Sequence, residues 1–376
     1  MKRVNQTRLW CCVGLLAGLL AGCGGGDGGG GGGGYGGGPG GPGGGGGSGT
    51  SYTAKALVSD GASTTYKDAN LVNGWGVAFN PAGFVWVSDN GTSKSTLYDG
   101  NGVPQSLVVG IPAGTVGSAS PTGIVFNGSQ DFKVSQGGGS GASAFLFVGE
   151  AGTLSGWSPS VNQGSAITVY DGGSAGKRYT GLALLNQGGS NLLFAADFHN
   201  GKIDVFDSSF AQISVMGGFK DANLPAGYAP YNIQALGGQL YVTYAKQDAK
   251  AEDSTVGAGL GLVDVFDGNG SLLKRLVSGE KLNAPWGLAM APTNFGPYSG
   301  MLLVGNFGDG KINAYDPASG AYKGTLSKTD GSALVIEGLW GIAFGNGLNS
   351  QPLNTLFYAA GPGDESHGVY GRIDLQ

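Results

Sequence analysis

The chain is poor in the residues on which most catalytic and metal chemistry is built. Only two histidines, His199 and His367, occur in 376 residues, so a Ser-His-Asp triad would have to use one of them. Gly-x-Ser-x-Gly spacing occurs only at Gly172 to Gly176, where the next repeat unit follows instead of the helix a nucleophile elbow needs, and neither His-Glu-x-x-His nor a phosphate loop occurs. Cysteine is confined to Cys11, Cys12 and Cys23, which excludes disulfides and thiolate metal sites from everything downstream. Charged residues make up 12% of the chain and the net charge is -5, which leaves no basic stripe for nucleic acid. The longest apolar stretch, Leu9 to Leu20, is short for a membrane-spanning helix.

What is abundant is a repeat. An opening motif recurs as NGWGVAF at Asn73, SPTGIVF at Ser120, RYTGLAL at Arg178, APYNIQAL at Ala229, APWGLAM at Ala284 and GLWGIAF at Gly338. A second apolar run follows each copy, as in VWVSDN from Val85 and LLVGNF from Leu302, and a third follows that, as in GKIDVFD from Gly201 and GKINAYD from Gly310. The period of about fifty residues and four short strands per unit predict six blades of an all-β propeller over 52–376, each too small to bury both sheet faces alone. The sixth unit stops after three strands, whereas Thr53 to Ser59 forms an orphan strand ahead of the first. The expectation is that this N-terminal strand completes the sixth blade and closes the ring. Three longer loops are expected: Phe132 to Ala142, Ala291 to Gly300, and Ala245 to Gly259, only the last of them on the channel-facing side.

Ahead of the repeats, Lys2, Arg3 and Arg8 precede the apolar stretch, and Leu20-Ala21-Gly22-Cys23 looks like the lipobox of bacterial lipoproteins. The resemblance implies a signal peptide over 1–22, diacylation at Cys23, and retention in the outer membrane, since Gly24 follows the cysteine. Ordinary cleavage leaving a free thiol is the competing reading. Residues 24–50 are nearly all glycine and have nothing to bury, so 23–51 reads as a lipidated cysteine on a disordered tether. Such a tether would have an end-to-end distance of about 30 Å.

Around the expected channel, the residue before each aligned glycine is Trp75, Thr122, Thr180, Tyr231, Trp286 or Trp340. The exits of the second strands carry Asp89, Asn90, Glu150, Asp197, His199, Asn306 and Asp309, with Asp364 and His367 in the sixth unit. Aromatics beside carboxylates could hold a sugar, and carboxylate and amide oxygens could hold calcium. Each residue also has a structural reading: the tryptophans as wedges between blades, Asp89 and Asp197 as acceptors in turns, His199 as a surface residue at a loop tip.

The units GLALLNQGGSNLLFAADFHNGKIDVFD and GLAMAPTNFGPYSGMLLVGNFGDGKINAYD resemble the repeat of NHL-type six-bladed propellers. With NGWGVAFNPAGFVWVSDNGTS and LWGIAFGNG, the domain resembles a family of exported bacterial propellers, some of which have PEP-CTERM tails. This chain lacks such a tail, and no activity comes with the resemblance. Two readings follow. In the first, the domain is a monomeric binding module on a lipid anchor, displaying its channel face to a glycan, peptide or envelope protein. In the second, it is a calcium-dependent, lactonase-like hydrolase with Asp89, Glu150, Asp197 and Asn306 as metal candidates. A quinone-dependent sugar dehydrogenase is a third reading, poorly served by two histidines.

Overall fold

Each repeat alternates two-residue periodicity with Gly- and Asp-rich turns, and the turns follow Asx geometry: Asp99, Asp207, Asp267 and Asp316 each accept backbone N–H bonds from residues two to four positions on. The resulting hairpins stack as six antiparallel sheets. A computed structural model describes residues 49–61 and 64–376. The expected signal peptide, Cys23 and most of the tether lie outside the described residues.

Blade one runs Gly74–Phe79, Val85–Asp89, Lys94–Tyr98, Pro104–Gly110. Blade two comprises Pro121–Phe126, Phe145–Gly149, Thr153–Trp157 and Ile167–Asp171. Blade three is Tyr179–Gln187, Ser190–Asp197, Lys202–Phe206 and Gln212–Ile213. Blade four is Tyr228–Leu236, Gln239–Gln247, Leu262–Phe266 and Leu272–Ser278. Blade five has Pro285–Met290, Leu302–Asn306, Ile312–Tyr315 and Tyr322–Thr325. Blade six has Leu339–Phe344, Leu356–Ala360 and Val369–Leu375, with Tyr52–Ser59 antiparallel to the last in the register Tyr52↔Leu375 to Ser59↔Val369. The ring therefore closes as the orphan strand required. A short strand, Tyr66–Lys67, adds in parallel beyond it and makes this sheet five-stranded.

The repeated glycine has a packing cause. A Cβ on Gly76 would lie 2.5 Å from the Thr122 carbonyl, on Gly123 2.4 Å from the Leu182 nitrogen, on Gly287 2.6 Å from the Trp340 carbonyl, and on Gly341 2.4 Å from the Trp75 carbonyl. Each blade's inner strand thus abuts the next blade's backbone, and only glycine leaves the room. Blade four has Asn232 at this position, and its Nδ2 instead donates to the Trp286 carbonyl at 2.8 Å.

Apolar side chains fill the layers between blades. Trp86, Phe145 and Trp157 lie between blades one and two. Leu57, Val87, Tyr98, Phe357 and Tyr370 seal blade six against blade one, with Tyr98 and Tyr370 stacked at 5.0 Å.

Two of the three expected loops are more ordered than loops. Phe132 to Ala142 contains a hairpin, Lys133–Gln136 with Gly139–Ala142, because Phe132 and Val134 are drawn into the core of blades two and three. In Ala245 to Gly259 the strand continues to Gln247 and Ser254–Thr255 folds back onto it, leaving a tight turn in which Asp248 accepts three backbone bonds. Ala291 to Gly300 buries Phe295, whose carbonyl accepts the Tyr52 hydroxyl at 2.8 Å and so ties the N-terminal strand to blade five.

Candidate functional site

The inner strands bring six side chains to the axis through one device. In every blade the first two strands slip register by one residue at the position before the aligned glycine, between Gly74 and Val77, Phe147 and Gly149, Tyr179 and Gly181, Pro230 and Asn232, Pro285 and Gly287, and Leu339 and Ile342. A bulge re-aims the residue it contains. The bulged residues are Trp75, Thr122, Thr180, Tyr231, Trp286 and Trp340.

These residues form a plug. Trp75 stacks on Trp340 at 3.5 Å, and Trp286 meets both edge-on at 5.9 Å. Tyr231 approaches Trp340 at 5.9 Å, and Phe307 stacks on Trp340 at 4.1 Å. The Trp286 indole N–H donates across the channel to the Thr180 carbonyl at 2.9 Å. Thr122 donates to the Tyr179 carbonyl at 2.9 Å. All three tryptophans and Tyr231 are under 5% exposed, so these rings meet one another across the axis instead of facing a ligand. Beneath the plug the opposite mouth is lined by Val77, Phe79, Ile124, Phe126 and Leu184, with Gln234 and backbone polar groups also on its wall.

Above the plug a hydrogen-bonded chain crosses four blades. Asn73 accepts the Trp340 indole N–H at 3.1 Å and donates to Glu365 at 2.6 Å and to Asn90 at 3.3 Å. Asn90 donates to Glu150 at 2.9 Å, and Glu150 pairs with Arg178. In blade four the Tyr231 hydroxyl donates to Ser254 at 3.1 Å.

Beside this chain lies a pocket of about 490 Å³. Its carboxylates come from three separate segments: Asp253 of the blade-four turn, Glu337 before blade six, and Asp364 and Glu365 of the loop leading to the last strand. Phe307 contributes an aromatic surface, and among the described residues no Lys, Arg or His lines the cavity. Asp364 and Glu365 are consecutive left-handed residues with φ of 50° and 64°, a conformation side-chain-bearing residues adopt at a cost. Burial pushes the Glu365 carboxyl up to about 7, reinforced by the like charges of Asp253 and Glu150 and opposed by the Asn73 bond and Arg178.

The remaining sequence candidates separate. Asn90 and Glu150 belong to the mouth network. Asp89 is fully buried within blade one, bonded by the Thr96 hydroxyl at 3.2 Å, and burial raises its carboxyl well above the usual range. Asp197 accepts from the Arg178 and Asn200 backbone and the Asn200 amide, as a turn residue would, and burial raises its carboxyl too. Asn306 donates to Asp309 at 3.0 Å and to the Lys281 carbonyl at 2.8 Å. His199 is half-buried, its Nδ1 3.1 Å from the Ala251 carbonyl, and His367 pairs with Asp60 at 2.8 Å. Among the described residues no group of three or more His, Cys, Asp and Glu is placed to hold a metal. The sequence reading missed Asn73, Arg178, Asp253, Phe307, Glu337 and Glu365. Phe307 had a signal, since it directly follows a second-strand exit, as Phe198 does; Asp253 lies in the long loop expected on the channel side and Glu365 directly follows Asp364, whereas Asn73, Arg178 and Glu337 have none within their own segments.

No family model matches the chain. The solved structure of a Bacteroides thetaiotaomicron protein of unknown function superposes with a TM-score of 0.53 at 10% identity, covering 86% of this chain and 76% of that one, a likeness of fold alone. Two uncharacterised proteins of Acanthamoeba polyphaga mimivirus are closer in sequence. One is 31% identical over 331 residues, 86% of this chain and 80% of the relative; the other is 32% identical over 314 residues, 81% of each. On that identity and coverage, this chain belongs to the same propeller family as those two mimivirus proteins.

Proposed function

We propose that this chain is a ligand-binding propeller held on a lipid anchor, and that its channel-face pocket takes a glycan, amine-bearing sugars in preference to neutral ones. The observation that carries this is the pocket of about 490 Å³ in which carboxylates from three segments line the cavity with Phe307, with no basic side chain among the described residues there. Carboxylates accept bonds from hydroxyls and ammonium groups, and an aromatic face receives the apolar side of a sugar or a cation. An ammonium would also relieve the like-charge repulsion that adds to burial in raising the Glu365 carboxyl.

Anchoring rests on Leu20 to Cys23 and on the resemblance to exported bacterial propellers. In this reading the chain is a monomer on the outer membrane, with the glycine-rich tether setting its reach and no nucleic-acid partner. A peptide or envelope protein is the competing ligand.

One observation favours an enzyme instead. The mouth holds a carboxyl that titrates near neutrality, Glu365, and another paired with a guanidinium, Glu150. Carboxyls held in unlike environments are the arrangement general acid–base catalysis uses. In the calcium-dependent form of that reading, Asp89, Asp197 and Asn306 would have to leave their present hydrogen bonds to serve as ligands.

Calorimetry on the full-length chain with glucosamine, glucose, a lysine-rich peptide and gluconolactone, with and without calcium, separates these readings. Glucosamine binding stronger than glucose binding is expected, with a Cys23→Ser chain losing acyl labelling but not affinity. Binding of the peptide alone, or lactone turnover that requires calcium, would overturn the proposal.

A further inference from the structure

A second cleft, of about 330 Å³, opens on blade five beside the channel pocket. Its walls are Glu280 and Lys281 from the segment entering the blade, Asp309 and Lys311 from the turn between its second and third strands, and Asn313 and Tyr322 from the outer strands. Two carboxylates and two ammonium groups balance, in contrast to the all-acidic lining next door. Tyr322 is 37% exposed, and the Lys281 ammonium lies 5.9 Å from its ring centroid. Lys281 has no carboxylate partner among the described residues, whereas Lys311 pairs with Asp309 at 3.2 Å.

The polar atoms behind the ring are ordered in file. The Tyr322 and Thr325 hydroxyls are 2.7 Å apart, Thr325 donates to Asn313 at 2.6 Å, and Asn313 donates to the Lys281 carbonyl at 3.1 Å. A part-exposed aromatic face held by hydrogen bonds, with donors and acceptors of both signs and no net charge, is chemistry suited to a neutral polyhydroxylated unit. The cleft and the channel pocket share a partition. Asn283 lines the first and Gly308 the second, and a Cβ on Gly308 would lie 2.1 Å from the Asn283 carboxamide oxygen. Asn283 is pinned there by the Gly257 N–H at 2.7 Å.

We infer that the cleft of Lys281, Lys311, Asn313 and Tyr322 is a second sugar subsite, so the ligand is an oligosaccharide carrying an amine-bearing unit in the channel pocket and a neutral unit on Tyr322. This inference rests on the glycan reading of the channel pocket and extends it. Two adjoining subsites make the second contact intramolecular, so affinity grows with chain length even if each subsite is weak.

The test uses the full-length chain and two probes: glucosamine, and a β1,4-linked tetramer containing both free and N-acetylated glucosamine units. The tetramer is expected to bind at least about tenfold tighter than glucosamine, an avidity gain of modest size. Tyr322→Ala and, separately, Lys281→Ala should remove most of that advantage while leaving glucosamine affinity unchanged. Melting curves confirm that each variant is folded, and Lys281→Ala serves if Tyr322→Ala is not. Equal binding of tetramer and monomer, a tetramer advantage that survives both variants, or loss of glucosamine binding in a folded Tyr322→Ala protein overturns the subsite and leaves the glycan reading in place. Failure of both probes to bind overturns the two together.

Discussion

Replacing Glu365 by Gln isolates the electrostatic cost of the candidate pocket. The carboxyl sits at about 7 in the folded chain against a reference of 4.5, because it is buried near Asp253 and Glu150. Below pH 4.5 it is protonated in both states and the substitution has little electrostatic effect. As pH rises from 4.5 to 7 the unfolded chain ionises while the folded one keeps its proton, so stability drains away by about 1.4 kcal/mol per pH unit. Above 7 both states are ionised and the deficit is constant, at most about 3.5 kcal/mol. Gln keeps an oxygen to accept the Asn73 amide, bonded at 2.6 Å in the parent, but carries no charge. The variant should therefore melt like the parent at pH 4 and above it at pH 8, by roughly 5 °C for that ΔΔG in a domain of this size. Urea or thermal denaturation at closely spaced pH values reads the difference directly, and subtraction removes the contributions of Asp89 and Asp197, which titrate in both proteins. A difference that is flat with pH, or largest in acid, would refute the placement of Glu365 as a partly buried acid facing like charges.

Three further outcomes test the architecture. Deleting Tyr52–Ser59 exposes the edge of Val369–Leu375, so the truncated chain should aggregate or lose its cooperative melt in size-exclusion and circular-dichroism measurements. Trp340→Ala empties the centre of the plug and should cost about 3–5 kcal/mol by chemical denaturation, with the Asn73 amide released as well. Gly123→Ala drives a methyl to within 2.4 Å of the Leu182 nitrogen and should cost about 1–3 kcal/mol; a neutral result would mean the blades are not in backbone contact there.

Blade number, blade order and ring closure were all legible in the sequence, because they follow from local patterning. Alternation marks strands, Asp and Gly mark turns, and a unit repeated about every fifty residues must stack on its own copies to bury its faces. The orphan strand at Thr53 to Ser59 could be assigned by counting alone, since five units were complete and the sixth lacked one strand. The repeated glycine could be aligned, yet its cause could not be read, because the atom it makes room for belongs to the next blade.

The candidate site divides the same way. Asn90 and Glu150 were found at strand exits, where the pattern pointed, but Asp89 and Asp197 occupy the same repeat position and turn to partners in their own blades. Position in the repeat fixes where a Cα lies, while the side chain's direction depends on which neighbour offers a hydrogen bond. The tryptophans carried a real signal and a different role, because six bulges aim their side chains at the axis, where they meet one another before any ligand. Glu365 had only its neighbour Asp364 to point to the segment, and nothing to point to the state of its carboxyl. Its carboxyl is raised first by burial and then by the like charges of Asp253 and Glu150, residues 112 and 215 positions away in the chain. The sequence by itself determined how many sheets form and how the ring shuts, since those are properties of each segment and its copies; only the tertiary structure decided which charges share a pocket, since charge repulsion and burial act through space between segments that the chain keeps far apart.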